Sequence, residues 1–110
     1  MKEKDPTGKK PSDSGAKLDA GKPRAALVIG GFANALQQVI DVGTFGAEKY
    51  TDDGWQRVVN GESRYMDAAM RHLLAHLGGE DADKESGLSH LAHAAWNILA
   101  VSELRLEYEQ

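Results

Sequence analysis

All four histidines of the chain, His72, His76, His90 and His93, fall in one stretch, and Glu80, Asp81, Asp83 and Glu85 lie between them. Imidazole nitrogens and carboxylate oxygens gathered in this way are the donors that a divalent cation requires. His90, His93 and Asn97 stand at i, i+3 and i+7, which on a helix is one face. Upstream, Arg64, Asp67, Arg71 and His72 line a second helical side, and arginines beside a cation suit a phosphate. Blander uses compete for the same residues. Asp67 and Arg71 have the i,i+4 spacing of a surface ion pair. The Glu80–Glu85 run could simply be a solvated loop that brings negative charge to the next helix start. His76 has the position of an exposed side chain.

Several familiar sites are excluded. Gly15 and Gly21 precede Lys22, but five residues separate the glycines and Pro23 follows the lysine, so there is no phosphate-binding P-loop. The acidic run has its glycine at Gly87 and would end on Ala92 in place of Glu, so it is no EF-hand. No serine has nucleophile-elbow flanks. The chain contains no cysteine, which removes thiol nucleophiles, thiolate-bound zinc and disulfides together.

Helices must position these residues. Phe32, Leu36, Val39 and Ile40 recur at helical spacing and predict a helix over roughly 32–42. Gly43 and Gly46 weaken it, so 45–50 reads as a separate turn or a kinked continuation. Residues 51–61 read as a loop around Asp52-Asp53-Gly54. Ser63 is the expected N-cap of a second helix over about 64–77. Its Met66, Ala69, Met70, Leu73, Leu74 and Leu77 give a core stripe, and Gly78-Gly79 ends it. A third helix over about 87–108 carries Leu88, Leu91, Ala92, Ala95, Ile98 and Leu99. The apolar stretch 25–29 is too short and unpartnered for a strand. The expected fold is all-α, a small helical bundle, and antiparallel packing of the last two helices would bring the acidic turn to one end of their seam.

With 110 residues the chain is one domain. Residues 1–24 hold seven Lys/Arg against four Asp/Glu, whereas 25–110 hold six against thirteen. An acidic body disfavours duplex nucleic acid as the main partner, and none is expected. A basic arm beside acidic residues suits a small polyphosphate bound with a divalent metal. Residues 1–16, rich in Lys, Gly, Pro and Ser, are expected to be a flexible or extended arm, and 17–110 a single helical domain. No run of about 18 apolar residues offers a membrane span, and no apolar h-region marks a secretory signal, so the expected location is cytoplasmic. Three helices over roughly 60 residues enclose two tryptophans and a polar seam poorly, which predicts a homo-oligomer with a shared site.

The ordered series Lys17-Leu18-Asp19-Ala20-Gly21-Lys22-Pro23-Arg24, Phe45-Gly46-Ala47-Glu48-Lys49-Tyr50, Arg71-His72, Gly79-Glu80, Asp83, Glu85-Ser86-Gly87 and His90-Leu91-Ala92-His93-Ala94-Ala95-Trp96-Asn97 resembles the phage and prophage family of dATP/dGTP diphosphohydrolase N-terminal domains. The resemblance covers about residues 17–104. That family is linked to MazG-like all-α nucleotide pyrophosphohydrolases, which use Mg²⁺ or Mn²⁺ to convert a nucleoside triphosphate to monophosphate and pyrophosphate. The resemblance thus implies a MazG-like bundle acting on purine deoxynucleotides, in a bacterial or phage-infected cytoplasm. Two positions depart from the pattern. Gly54 stands where the family commonly has Asn before Trp55. The Glu-x-x-Glu and Glu-x-x-Asp pairs of MazG-like helices are replaced by Glu80-x-x-Asp83 in a turn and His90-x-x-His93 on a helix. A mixed His/carboxylate set favours Mn²⁺, Fe²⁺, Co²⁺ or Zn²⁺ over Mg²⁺.

The expected mechanism is metal-assisted phosphoanhydride hydrolysis. Metal ligands are sought among His72, Glu80, Asp83, Glu85, His90 and His93. Glu48, with Asp67 as second candidate, would take the proton of the attacking water. Lys22, Arg24, Lys49, Arg64 and Arg71 would neutralise the polyphosphate, Asp19 and Asn97 would contact the substrate, and Tyr50 or Trp55 would stack on the base. Two other classes use the same residues: a protein that sequesters nucleotides without turnover, and a helical interaction module.

Overall fold

A computed structural model of the chain describes residues 2–109. It forms two compact units that meet in sequence between Gly31 and Phe32. The N-terminal unit is organised by Asp5. Its carboxylate accepts hydrogen bonds from the Thr7 hydroxyl and amide, both at 2.6 Å, and from the Lys17 amide at 2.8 Å. The Thr7 hydroxyl, followed by these amides, holds that carboxyl below the usual range. The Ala20 amide also donates to the Lys4 carbonyl at 2.9 Å. Within residues 2–20 the chain carries turns closed by side-chain and backbone bonds. The unit ends in a short helix, α1 (Ala25–Gly31), where the sequence shows only a brief apolar stretch.

The second unit is all-α. It contains α2 (Ala33–Lys49), a 3-10 turn (Gly54–Arg57), α3 (Gly61–Leu77) and α4 (His90–Glu109). Among the described residues the only β-pairing is a single antiparallel bridge between Ala82 and Ser89. Helices α3 and α4 pack along each other, and α2 packs on α4. Arg105, near the end of α4, donates to Glu62 at the start of α3 at 3.1 Å, which fixes the antiparallel sense. No single described helix is long and apolar enough to cross a membrane.

Three boundaries differ from the sequence expectation, each for a physical reason. Helix α2 runs unbroken through Gly43 and Gly46. A Cβ on Gly43 would stand 3.0 Å from Trp96 Nε1, so the glycine lets α2 approach α4, and packing outweighs its poor helix propensity. Helix α3 starts at Gly61, so Ser63 sits inside its first turn; the cap position is Asn60 at φ 57°, a left-handed conformation that Asn tolerates. Helix α4 starts at His90 because the Ser89 hydroxyl accepts the Leu91 and Ala92 amides at 3.1 and 3.3 Å, an N-cap.

The core is thin and built of small residues. Val42, Ala69, Ala92, Ala94 and Ala100 are its buried apolar members. Beside it Trp55, Tyr65 and Trp96 meet edge to face, with centroids 5.6 to 6.4 Å apart, and Tyr65 donates to the Trp55 carbonyl at 2.8 Å. The stripe expected to be the core face of α3 is not buried: only Ala69 is, while Met66, Met70, Leu74 and Leu77 are 39, 49, 64 and 79% exposed. The face of α3 that packs runs instead through Tyr65, Ala69, His72 and Leu73, so of the expected stripe only Ala69 and Leu73 turn inward.

Candidate functional site

The segment from Gly78 to Ser89 turns the chain back between α3 and α4, and its backbone is closely tied. The Asp83 amide donates to the Leu88 carbonyl at 2.8 Å, and the His90 amide to the Asp81 carbonyl at 2.9 Å. Asp83 organises the tip. Its carboxylate accepts the Ser86 amide at 2.9 Å and its carbonyl accepts the Gly87 amide at 2.7 Å. Gly87 has φ +73°, the left-handed conformation a glycine adopts without cost. The result is a compact loop that holds Glu80, Asp83 and Ser86 against the facing histidines.

Those histidines come from both helices. His72 Nδ1 and His90 Nδ1 lie 2.8 Å apart. The other nitrogen of His90, Nε2, is 2.8 Å from Glu80 Oε1. A carboxylate accepts, so His90 Nε2 carries hydrogen; in a neutral ring this leaves the Nδ1 lone pair directed at His72. The His93 ring stacks on His72 at 4.4 Å and 9°, and its Nε2 lies 2.7 Å from Ser86 Oγ. The serine hydroxyl also accepts the Leu88 amide at 3.1 Å, so its own hydrogen is available to His93.

Burial is unequal across the cluster. His90 and His93 are 4 and 8% exposed, whereas His72 is half-buried. Burial, followed by the neighbouring imidazoles His93 and His90, lowers the pKa of His72; burial also lowers that of His93. Both rings are therefore held neutral, the form that offers a lone pair. Burial raises the Asp83 carboxyl, but hydrogen bonding from Ser86 prevails and holds it below the usual range, ionised.

One donor atom each from His72, Asp83 and His90 lies within 4.8 Å of the others. The donor set is chemically suited to a divalent ion: two imidazoles, one ionised carboxylate, and Glu80 supporting His90 from behind.

The remaining sequence candidates divide. Glu85 pairs with Lys49 Nζ, which draws the C-terminal end of α2 to the loop. This hydrogen bond with Glu85, followed by one with Tyr50, raises the Lys49 pKa, and its ammonium lies 5.2 Å from the Tyr50 ring centre. Arg71 adjoins His72 on α3 and contributes to its field. Glu48 and Asp67 are exposed and share no hydrogen bond or ion pair with the imidazoles among the described residues, and the Asp67–Arg71 pair does not form. Asn97 is buried and donates to the His93 carbonyl at 2.8 Å, so its amide stabilises α4. Trp55 is engaged with Tyr65 and Trp96, beside a hollow of about 310 Å³. Arg64 donates to the Val59 carbonyl at 3.1 Å and lines a hollow of about 760 Å³ at the start of α3, away from the histidines. Asp19, Lys22 and Arg24 belong to the N-terminal unit, where Lys22 pairs with Glu3 at 3.4 Å.

Sequence reasoning assigned no role to Ser86 or Tyr65. The Asp83-x-x-Ser86-Gly87 spacing is the signal that could have revealed Ser86, because Asp and Ser at such spacing close turns. No comparable pattern marks Tyr65.

Comparison with known proteins agrees with the resemblance. A family model described as dATP/dGTP diphosphohydrolase, N-terminal, matches residues 12–110. A curated relative, the dATP/dGTP diphosphohydrolase of Salmonella phage PMBT28, is 33% identical over 88 residues. The matched segment is 80% of this chain and 29% of that protein, so the chain spans less than a third of the relative's length. No solved structure matches. A matching model over nearly all of the chain places it in a family: it belongs to the dATP/dGTP diphosphohydrolase N-terminal domain family.

Proposed function

We propose that the chain carries a metal-dependent hydrolase site for a purine deoxynucleoside triphosphate, with water cleaving the α–β phosphoanhydride to give the monophosphate and pyrophosphate. The observation that carries this reading is the convergence of His72, Asp83 and His90 donor atoms within 4.8 Å. The relative's name supports the substrate class.

In this reading His72, His90 and Asp83 hold the cation, with Glu80 fixing the His90 ring. A divalent cation there supplies charge neutralisation and a more acidic water. Lys49, kept protonated by Glu85, and Arg71 offset negative charge on the phosphates. Tyr50, exposed beside Lys49, offers an aromatic face to the base. Glu48 and Asp67, exposed on α2 and α3, are the carboxylate candidates for taking the water's proton. Two nitrogen donors favour Mn²⁺, Fe²⁺, Co²⁺ or Zn²⁺ over Mg²⁺.

The test is incubation of the chain with a panel of nucleoside and deoxynucleoside triphosphates and each metal, with products separated by chromatography. Monophosphate and pyrophosphate in equal amounts support the reading. Release of orthophosphate, or no product with any metal, overturns it.

A further inference from the structure

The most conspicuous feature outside the histidine cluster is the apolar face of α3. Met66, Met70, Leu74 and Leu77 follow one another at i, i+4, i+8 and i+11, and all remain exposed. Four large side chains in register are a patch of the kind that soluble proteins cover. We propose that this stripe is an interface between two copies of this chain, packed isologously about a two-fold axis.

Three observations favour a second copy as the occupant. The first is area. A folded monomer of 11.9 kDa exposes about 5,900 Å², and the two units counted as separate domains would expose about 7,000 Å². The chain exposes 8482 Å². The surplus exceeds the roughly 800 Å² that each partner contributes to a standard interface. The second is length. The stripe extends about 16 Å along α3, whereas α1, which also presents Leu27, Val28 and Ile29, is only about 10 Å long. A copy of the same stripe matches it end to end. The third is charge. Residues 25–110 are strongly acidic, but the stripe itself carries no charged side chain, so this face meets its own copy without repulsion.

The proposal stands apart from the hydrolase reading. It is tested by light scattering of the full chain over micromolar concentrations, with far-ultraviolet circular dichroism alongside. Wild type is expected at twice the chain mass. Leu74→Glu, at a side chain 64% exposed in the single copy, is expected to retain helicity and to raise the dimer dissociation constant at least about tenfold. Leu77→Glu is the second variant should the first lose helicity. A wild-type monomer at every concentration overturns the proposal, as it would if α1 covered the stripe within one chain. Dimers that both glutamate variants leave intact overturn it equally.

Discussion

His72 Nδ1 and His90 Nδ1, contributed by antiparallel helices and 18 positions apart in sequence, face each other at 2.8 Å. Glu80 holds the opposite nitrogen of His90, so the lone pair aimed at His72 is set by a carboxylate from the intervening loop. Replacing either imidazole removes a donor from the converging set. His72→Ala and His90→Ala are each expected to weaken Mn²⁺ or Zn²⁺ binding at least about 10–100-fold by calorimetry. Saturating metal should raise the melting temperature of wild type, because it binds only the folded chain, and raise that of the variants little.

Glu80 itself touches only the outer nitrogen of His90 among the site groups, so its role is positional. Glu80→Ala is expected to lower metal affinity about 10-fold or more. Glu80→Gln keeps an oxygen that can accept from Nε2 and should lose less. Equal losses in the two variants would show that the carboxylate charge matters and the hydrogen bond does not.

Acidity should destabilise the metal-free chain in a defined window. His72 and His93 have pKa values lowered from 6.5, so between 6.5 and their folded values the unfolded chain binds more protons. Stability then falls as the pH drops below 6.5. Asp83, lowered from 3.8, adds a loss of the same sign at still lower pH. Thermal melts in a chelator across this range check the slope; a stability that rises on acidification from pH 6.5 would contradict the neutral assignment.

The two glycines inside α2 should respond oppositely to the same change. Gly46→Ala adds a methyl with nothing within 4 Å and should stabilise by about 0.5–1 kcal/mol through helix propensity. Gly43→Ala sets a Cβ 3.0 Å from Trp96 Nε1, and overpacking of this kind costs about 1–3 kcal/mol, more than the propensity gain. Urea unfolding of both variants measures the difference.

This contrast shows what a sequence can and cannot carry. Periodicity located the long helices, and the density of His and carboxylates marked the stretch where the imidazoles and Asp83 cluster, because both signals are local. The continuation of α2 through Gly43 depends on Trp96 some fifty positions away, which no local pattern encodes. The same holds within the site. Spacing puts His90, His93 and Asn97 on one helix face, yet only the facing helix and loop decide that His90 meets His72, that His93 is taken by Ser86, and that Asn97 turns back to its own helix. The stripe of α3 was legible as apolar, while the sequence alone could not say whether it faces this chain or another.

Metal-dependent hydrolysis is measured on the chain itself. The chain, supplied with Mn²⁺ and a purine deoxynucleoside triphosphate, is followed by phosphorus resonance with His90→Ala and a chelator-treated sample in parallel. Wild type should give equal amounts of monophosphate and pyrophosphate, and either control none. Tight calorimetric binding of a triphosphate that stays intact after prolonged incubation with metal would contradict it, and would identify the chain as a protein that holds nucleotides without cleaving them.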